Sequence, residues 1–301
     1  MNDRLLVIGA SGLVGSTLTK SARSKYSVFI TTNQNSPEFT DLPHIKLDLI
    51  TNKTKIIDHI KDIKPDYVVH TAAFASVDYC ETHQSMADAL HIDITKKISS
   101  VCKEVNAGLI YISTDAVFDG KSSKLYTEND IPNPISHYGK TKLAAEKIIL
   151  DSSPNNVILR TTVIYGWHKR SRFTNWVLDS LKNKKIVEAF TDQHNTATLV
   201  DDLSNAILKI MKLRVSGLYH AVGRSCISRY EFANLLADRF GYDKNLIISV
   251  TANEKKQDAP RPVNGCLEGK KLEKAIDYDF CDIKTGIDLL YDGYLSEIGI
   301  K

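Results

Sequence analysis

The sequence predicts an α/β protein, a doubly wound parallel sheet carrying a smaller C-terminal α/β lobe. Three observations predict it. Short apolar runs alternate with helix-period segments from Arg4 to Arg160, the pattern of parallel strands joined by right-handed helical crossovers. A glycine-rich turn, Gly9-Ala10-Ser11-Gly12-Leu13-Val14-Gly15, follows the first apolar run directly, as strand, turn and helix do in a nucleotide site. After about Thr161 the alternation loosens while helix signals continue, with no repeat or low-complexity linker. Residues 1–160 are therefore assigned to a dinucleotide-binding domain. Residues 161–301 are assigned mainly to a substrate-binding lobe that shapes a cleft, with some later segments returning to the first domain.

The 301 residues suffice for one large domain and a smaller one. The net charge of +3 is small and its Lys and Arg are scattered, so nothing calls for nucleic acid. The densest basic run, His168-Lys169-Arg170-Ser171-Arg172, reads either as a solvated loop or as a contact for a substrate phosphate. No apolar run nears the ~20 residues of a membrane span. Met1-Asn2-Asp3-Arg4 leads straight into a strand, so no signal peptide is expected. The five cysteines are odd in number, widely spaced and without Cys-x-x-Cys, so a reduced, cytoplasmic setting is expected. The nine histidines lack metal-ligand spacing and no metal is expected.

Arg4-Leu5-Leu6-Val7-Ile8 is the first strand, and a helix follows the glycine turn to about Ser24. The glycines let backbone approach a pyrophosphate whose charge sits at the helix N-terminus. Strand two spans about Ser27 to Thr31, then Thr32-Asn33-Gln34-Asn35. An NAD site usually places an acid here for the ribose 2′-hydroxyl, yet none appears until Glu38. The small polar loop favours NADP, with NAD possible. Ile45-Lys46-Leu47-Asp48 is strand three, whose Asp48 either reaches the adenine or caps the next helix. That helix carries Ile56, Ile57, Ile60 and Ile63 on one face. Tyr67-Val68-Val69-His70 is strand four, and the small residues of Thr71-Ala72-Ala73-Phe74-Ala75 let a cofactor lie close. A long helix is expected from Met86 to Val105.

Leu109-Ile110-Tyr111-Ile112 is strand five and ends in Ser113-Thr114-Asp115, hydroxyls at the carboxyl end where ligands bind. Asn133-Pro134 then predicts a helix start, Asn as N-cap and Pro at the first position. On that helix Tyr138 and Lys142, four apart, share a face. A free Tyr titrates near ~10, and a nearby ammonium is expected to lower that value, giving a proton donor and acceptor for carbonyl–alcohol interconversion. The spacing alone is unspecific in a chain with thirteen tyrosines, and Tyr165 to Lys169 repeats it in a segment read as a loop. Val157 to Arg160 is strand six. Arg172 to Lys182 and Asp201 to Lys212 read as helices and Gly217 to Ala221 as a strand. Ser228-Arg229-Tyr230-Glu231 is a capping box for a helix reaching Phe240. Ala259-Pro260-Arg261-Pro262 is a rigid extended segment.

Several of these pieces, taken with Val77-Asp78-Tyr79-Cys80-Glu81, Ser113-Thr114-Asp115-Ala116-Val117-Phe118-Asp119-Gly120, Tyr138-Gly139-Lys140-Thr141-Lys142-Leu143, Leu159-Arg160-Thr161, Asp192-Gln193 and Arg261-Pro262, resemble the extended short-chain dehydrogenase/reductases. Within them the chain is similar to the dTDP-4-dehydrorhamnose reductases over nearly its whole length. The resemblance implies a Rossmann domain and a catalytic set of Thr114, Tyr138 and Lys142. It implies cofactor contacts from Gly9, Ser11, Gly12, Leu13 and Val14, from Asn33, Asp48 and Leu49, from Ala72 and Ala73, and from Tyr138 and Lys142. Val77, Thr114 and Arg261 would touch a nucleotide-sugar substrate. The chain departs from the family pattern at Phe74, Ala75, Ala116 and Val163, and lacks the Gly and Pro in Asp192 to Thr198. The resemblance implies that these positions contact the sugar nucleotide or shape that wall, so reductase chemistry is expected to persist with the sugar left open.

The expected activity is NADP-dependent reduction of a nucleotide-linked 4-keto-6-deoxysugar in the cytoplasm, with a homodimer admitted. Two alternatives stand beside it. One is a nucleotide-sugar epimerase or dehydratase of the same superfamily. The other is a non-catalytic NADP-binding subunit resembling methionine adenosyltransferase subunit beta, through the shared Tyr-Gly-Lys-Thr-Lys-Leu and a similar Tyr230-Glu231 helix.

Overall fold

Runs such as Leu5-Leu6-Val7-Ile8 are apolar on both faces, so as strands they need cover on both sides. In the computed structural model, which describes residues 3–300, they have it. β1 (Arg4–Ile8), β2 (Ser27–Thr32), β3 (His44–Lys46), β4 (Tyr67–His70), β5 (Gly108–Thr114) and β6 (Val157–Thr161) lie in one sheet. Short strands β7 (Ile164–Tyr165), β8 (Val187–Phe190), β9 (His194–Thr196) and β10 (Thr198–Leu199) follow. β11 (Gly217–His220) then returns to the large sheet, before β12 (Cys226–Ser228), β13 (Ile247–Val250) and β14 (Asn264–Gly265). The seven-stranded order is β11-β6-β5-β4-β1-β2-β3, every pairing parallel. The order reverses between β1 and β4, so the ligand crevice opens at their carboxyl ends.

The helices are α1 (Leu13–Ala22), α2 (Lys53–Ile63), α3 (Val77–Thr82), α4 (Gln84–Asp88), α5 (Thr95–Glu104), α6 (His137–Ser152), α7 (Arg172–Lys182), α8 (Val200–Leu213), α9 (Arg229–Phe240), α10 (Lys270–Ile276) and α11 (Ile283–Glu297). Leu18 of α1 and Leu203 and Ile207 of α8 cover one sheet face. Ile56 and Ile60 of α2, Ile98 of α5 and Ile149 of α6 cover the other. A third core joins Val177 of α7, Phe232 and Leu236 of α9 and Ile287 of α11 beneath β8 and β13. Burying each such side chain contributes about 1.5–3 kcal/mol. Among the described residues no helix is long and apolar enough to cross a membrane.

The structure corrects four expectations. The Tyr138 helix starts at His137, not at Pro134; Ser136 is its N-cap, accepting from Gly139 N, while the Asn133 amide donates to Asp119 Oδ2 at 3.1 Å. A second acceptor nearer the helix outcompeted Asn133. Strand three ends at Lys46, short of Asp48. The expected Met86–Val105 helix is interrupted by a π-helical stretch, Ala89–Ile94, between α4 and α5. Finally, Cys226 and Cys266 form a disulfide with Cα atoms 5.6 Å apart. β12 and β14 flank β9 in a three-stranded sheet, which brings together cysteines separated by 40 positions. Sequence spacing carried no sign of it.

Candidate active site

The glycine turn is shaped by close backbone approach. Gly9 has φ +91°, and a Cβ there would lie 3.0 Å from Ala72 N. A Cβ on Gly15 would lie 2.4 Å from Gly9 O, so its absence lets α1 pack onto the end of β1. Gly12 caps α1 without a side-chain bond, leaving the first-turn amides available to an anion. Asp48 does not cap the next helix: its Oδ1 accepts from Ile50 N at 2.8 Å and Thr51 N at 3.2 Å, while Asn52 is the N-cap of α2. Asn33 is exposed beyond β2. Glu38 is engaged by His168 Nε2 at 2.9 Å and Lys169 Nζ at 3.7 Å, and His168 Nε2 also lies 2.9 Å from Ser16 Oγ.

A cavity of about 1010 Å³ runs from this turn across the carboxyl ends of the strands. Gly12, Leu13 and Val14 line one end, and Thr114, Tyr138 and Lys142 the middle. Ala73, Val77 and Arg261 belong to its walls. Gly9, Ser11, Asn33, Asp48, Leu49 and Ala72 do not line it; Leu49 is buried in the core and Ala72 packs against the same cluster. The look-alike pair is split: Tyr165 packs edge-on against Phe232, while Lys169 sits by Glu38.

α6 carries Tyr138 and Lys142 on successive turns. Lys142 is buried, its Nζ donating to Ile112 O at 2.6 Å and lying 3.9 Å from the Tyr111 ring centre. Burial lowers its pKa to about 7, with the Glu146 charge opposing. Burial raises the Tyr138 pKa, opposed by a hydrogen bond with Thr114. The expected lowering of the phenol by Lys142 is thus not found: desolvation dominates, and the ammonium bonds the Ile112 carbonyl. Burial thus keeps the Tyr138 phenol neutral.

Thr114 Oγ1 donates to Asp115 Oδ1 at 3.0 Å and accepts from Ala116 N at 3.2 Å. Asp115 Oδ2 accepts from Thr162 Oγ1 at 2.8 Å and Asn195 Nδ2 at 2.7 Å. Burial raises the Asp115 pKa and these donors hold it down. Thr162, Asn195 and Arg229 were not foreseen; only folding brings β6, β9 and the start of α9 to one point. Behind Lys142, Glu146 accepts from Ser113 Oγ at 2.5 Å and from Arg160 Nη2 at 2.7 Å in a fully buried pair. Its position four residues after Lys142 was the available signal.

The far end is cationic. Arg229 and Arg172 line the cavity, and among the described residues neither has an ion-pair partner; burial lowers the Arg229 pKa to about 10, the Asp115 charge opposing. Arg261 is instead clamped by Asp78, Nη1 to Oδ1 at 2.9 Å and Nη2 to Oδ2 at 2.7 Å. Val163, also lining the cavity, has φ +42°, an outlier for a β-branched residue. An adjoining cavity of about 410 Å³ shares Arg172, Phe173, Gln193 and Arg229 and adds Trp176 and Phe190.

A doubly wound parallel sheet with a glycine turn at its switch point, and Thr114, Tyr138 and Lys142 around the same cavity, define a short-chain dehydrogenase/reductase type of fold. More particularly, the family described as "RmlD substrate binding domain" matches residues 3–295, and the chain belongs to it. It is 30% identical to a dTDP-4-dehydrorhamnose reductase of Aggregatibacter actinomycetemcomitans, covering 90% of this chain and 92% of that one. It is 31% identical to methionine adenosyltransferase 2 subunit beta of Xenopus laevis, covering 90% and 82%. The solved structure of dTDP-4-dehydrorhamnose reductase from Bacillus anthracis in complex with NADP shares the fold, with TM-score 0.87, 24% identity and coverage of 97% and 99%.

Proposed function

We propose that the protein is an NADP-dependent reductase of a nucleotide-linked 4-keto-6-deoxysugar. The observation that carries this is one cavity joining the bare N-terminus of α1, the Thr114–Tyr138–Lys142 group and the guanidinium groups of Arg172 and Arg229. The order suits a dinucleotide at one end, a carbonyl at the centre and a diphosphate at the other. The Aggregatibacter relative's name agrees with this reading. The loop after β2 offers no free carboxylate, since Glu38 faces His168 and Lys169, which supports NADP over NAD.

The first turn of α1 would hold the cofactor's pyrophosphate and Lys142 its nicotinamide ribose. When bound, the cofactor supplies a hydride for the keto carbon. Tyr138, kept neutral by burial, gives its phenolic proton to the developing alkoxide. Thr114 gives its one hydroxyl proton to Asp115 Oδ1 here; to orient the keto oxygen it would turn that proton from Asp115 to the substrate. Arg172 and Arg229 would pair with the diphosphate.

Loss of NADPH absorbance is expected when dTDP-, UDP-, GDP- or CDP-linked 4-keto-6-deoxysugars are added in turn, with at least one active. Tyr138→Phe should abolish the signal while leaving the circular dichroism spectrum intact; turnover persisting in that variant would sink the mechanism.

The dehydratase alternative needs a carboxylic acid that donates beside the catalytic Thr. Asp115 accepts three side-chain hydrogen bonds, which favours an ionised acceptor and so the reductase. A second reading, a non-catalytic subunit, has the Xenopus relative behind it. Co-elution with a methionine adenosyltransferase, together with no turnover in the sugar screen, would support it.

A further inference from the structure

His91 is fully buried on the π-helical stretch between α4 and α5, and the reduction described above assigns it no part. π-Helical turns occur often at functional sites. Its Nε2 accepts from the backbone N–H of Phe74 at 3.0 Å. An amide can only donate, so Nε2 is the lone-pair nitrogen. The proton of a neutral ring is therefore on Nδ1, which donates to Thr141 Oγ1 at 2.8 Å. Thr141 in turn donates to the backbone carbonyl of Tyr138 at 2.9 Å. The imidazole also meets the Tyr138 ring edge-on, centroids 5.8 Å apart and planes at 78°. Phe74 lies in the run of cavity-lining residues from Ala73 to Val77.

We infer that His91 is a positioning residue for the proposed reduction: one neutral imidazole ties the loop after β4 to the turn of α6 that carries Tyr138, fixing the distance between substrate wall and proton donor. It is not an acid or base. Burial pushes its pKa down to about 2, and the facing Lys142, His70 and His137 side chains work in the same direction. A histidine serves because a rigid five-membered ring offers an acceptor at one end and a donor at the other.

The inference rests on the reductase reading, so its test includes a readout that needs no substrate. In ¹⁵N-histidine spectra of the whole protein, His91 is expected as the Nδ1–H tautomer with no titration between roughly pH 5 and 8. The opposite tautomer, or a ring that titrates there, overturns it. His91→Phe keeps the ring and removes both bonds. It is expected to shift the Tyr138 ring resonances and to lower kcat on the order of 10²-fold, with NADPH affinity unchanged. Thr141→Val should lower kcat in the same direction, and the double variant should be no worse than His91→Phe alone, because both cut one chain of bonds. Unchanged kcat and unmoved Tyr138 resonances in His91→Phe, or fully additive losses, refute the role. Should His91→Phe not fold, His91→Leu, which also removes both bonds, is measured instead against the same kcat and Tyr138-resonance expectations. Failure of wild-type turnover on every sugar tested would refute the reductase reading alone, and the spectra would still decide the geometry.

Discussion

Glu146 and Arg160 set the scale of what single residues contribute here. The Glu146 side chain is 2% exposed and that of Arg160 3%, and Ser113 also donates to the Glu146 carboxylate. Glu146→Ala would leave the Arg160 guanidinium buried and alone, at a cost of roughly 3–5 kcal/mol; urea denaturation should show it as a lowered midpoint. Lys142 makes a pH prediction. Its proton leaves near pH 7 in the folded chain, against 10.5 ordinarily. Between those values the unfolded chain binds more protons, so folded stability should rise as pH climbs through 7. In Lys142→Met that contribution disappears, and the stability-against-pH slope over this window should flatten. A slope identical to wild type would mean the lysine is not desolvated as described. The Tyr138–Lys142 pair itself was legible in sequence from spacing and motif context. What the pair does electrostatically was not, because the Tyr138 proton is governed by burial and by Thr114, neither visible in a four-residue interval.

At the scale of elements, strands and long helices were readable from apolar runs and periodicity, whereas their ends and interruptions were not. α6 begins three residues after Pro134 because Ser136 is better placed than Asn133 to cap it. Gly139 in its first turn packs so tightly against the strand-five turn that a Cβ would meet Ala116 O at 2.1 Å. The Cys226–Cys266 bond is another property of elements: it staples β12 to the residue following β14 across β9. α9 starts with Arg229 immediately after β12, and β14 follows Arg261 closely, so the bond braces the cationic end of the cavity. Reduction, or Cys226→Ser, should lower stability by roughly 3–4 kcal/mol on the chain-entropy account, read as a drop in Tm with and without dithiothreitol. An unchanged Tm would show that the sheet alone holds this wall.

The whole molecule is not two units strung in order. The seventh strand, β11, pairs with β6, and α8 packs with α1 over one face of the sheet. A fragment of residues 1–160 would thus expose the edge of β6 and half of that core, and is expected to be aggregation-prone; a soluble fragment with native-like hydrogen-exchange protection in β1 would contradict this. The sequence by itself determined the sheet class, the glycine turn and the shared helix face of Tyr138 and Lys142, because backbone periodicity and short-range motifs act over intervals the chain writes out locally. Only the tertiary structure decided which segments close the sheet, that Asp115 meets Thr162 and Asn195, that His91 reaches Phe74 and Thr141, and that two distant cysteines bond. Those are contacts between residues far apart in the chain, and their energies depend on desolvation and packing that exist only once the layers have met.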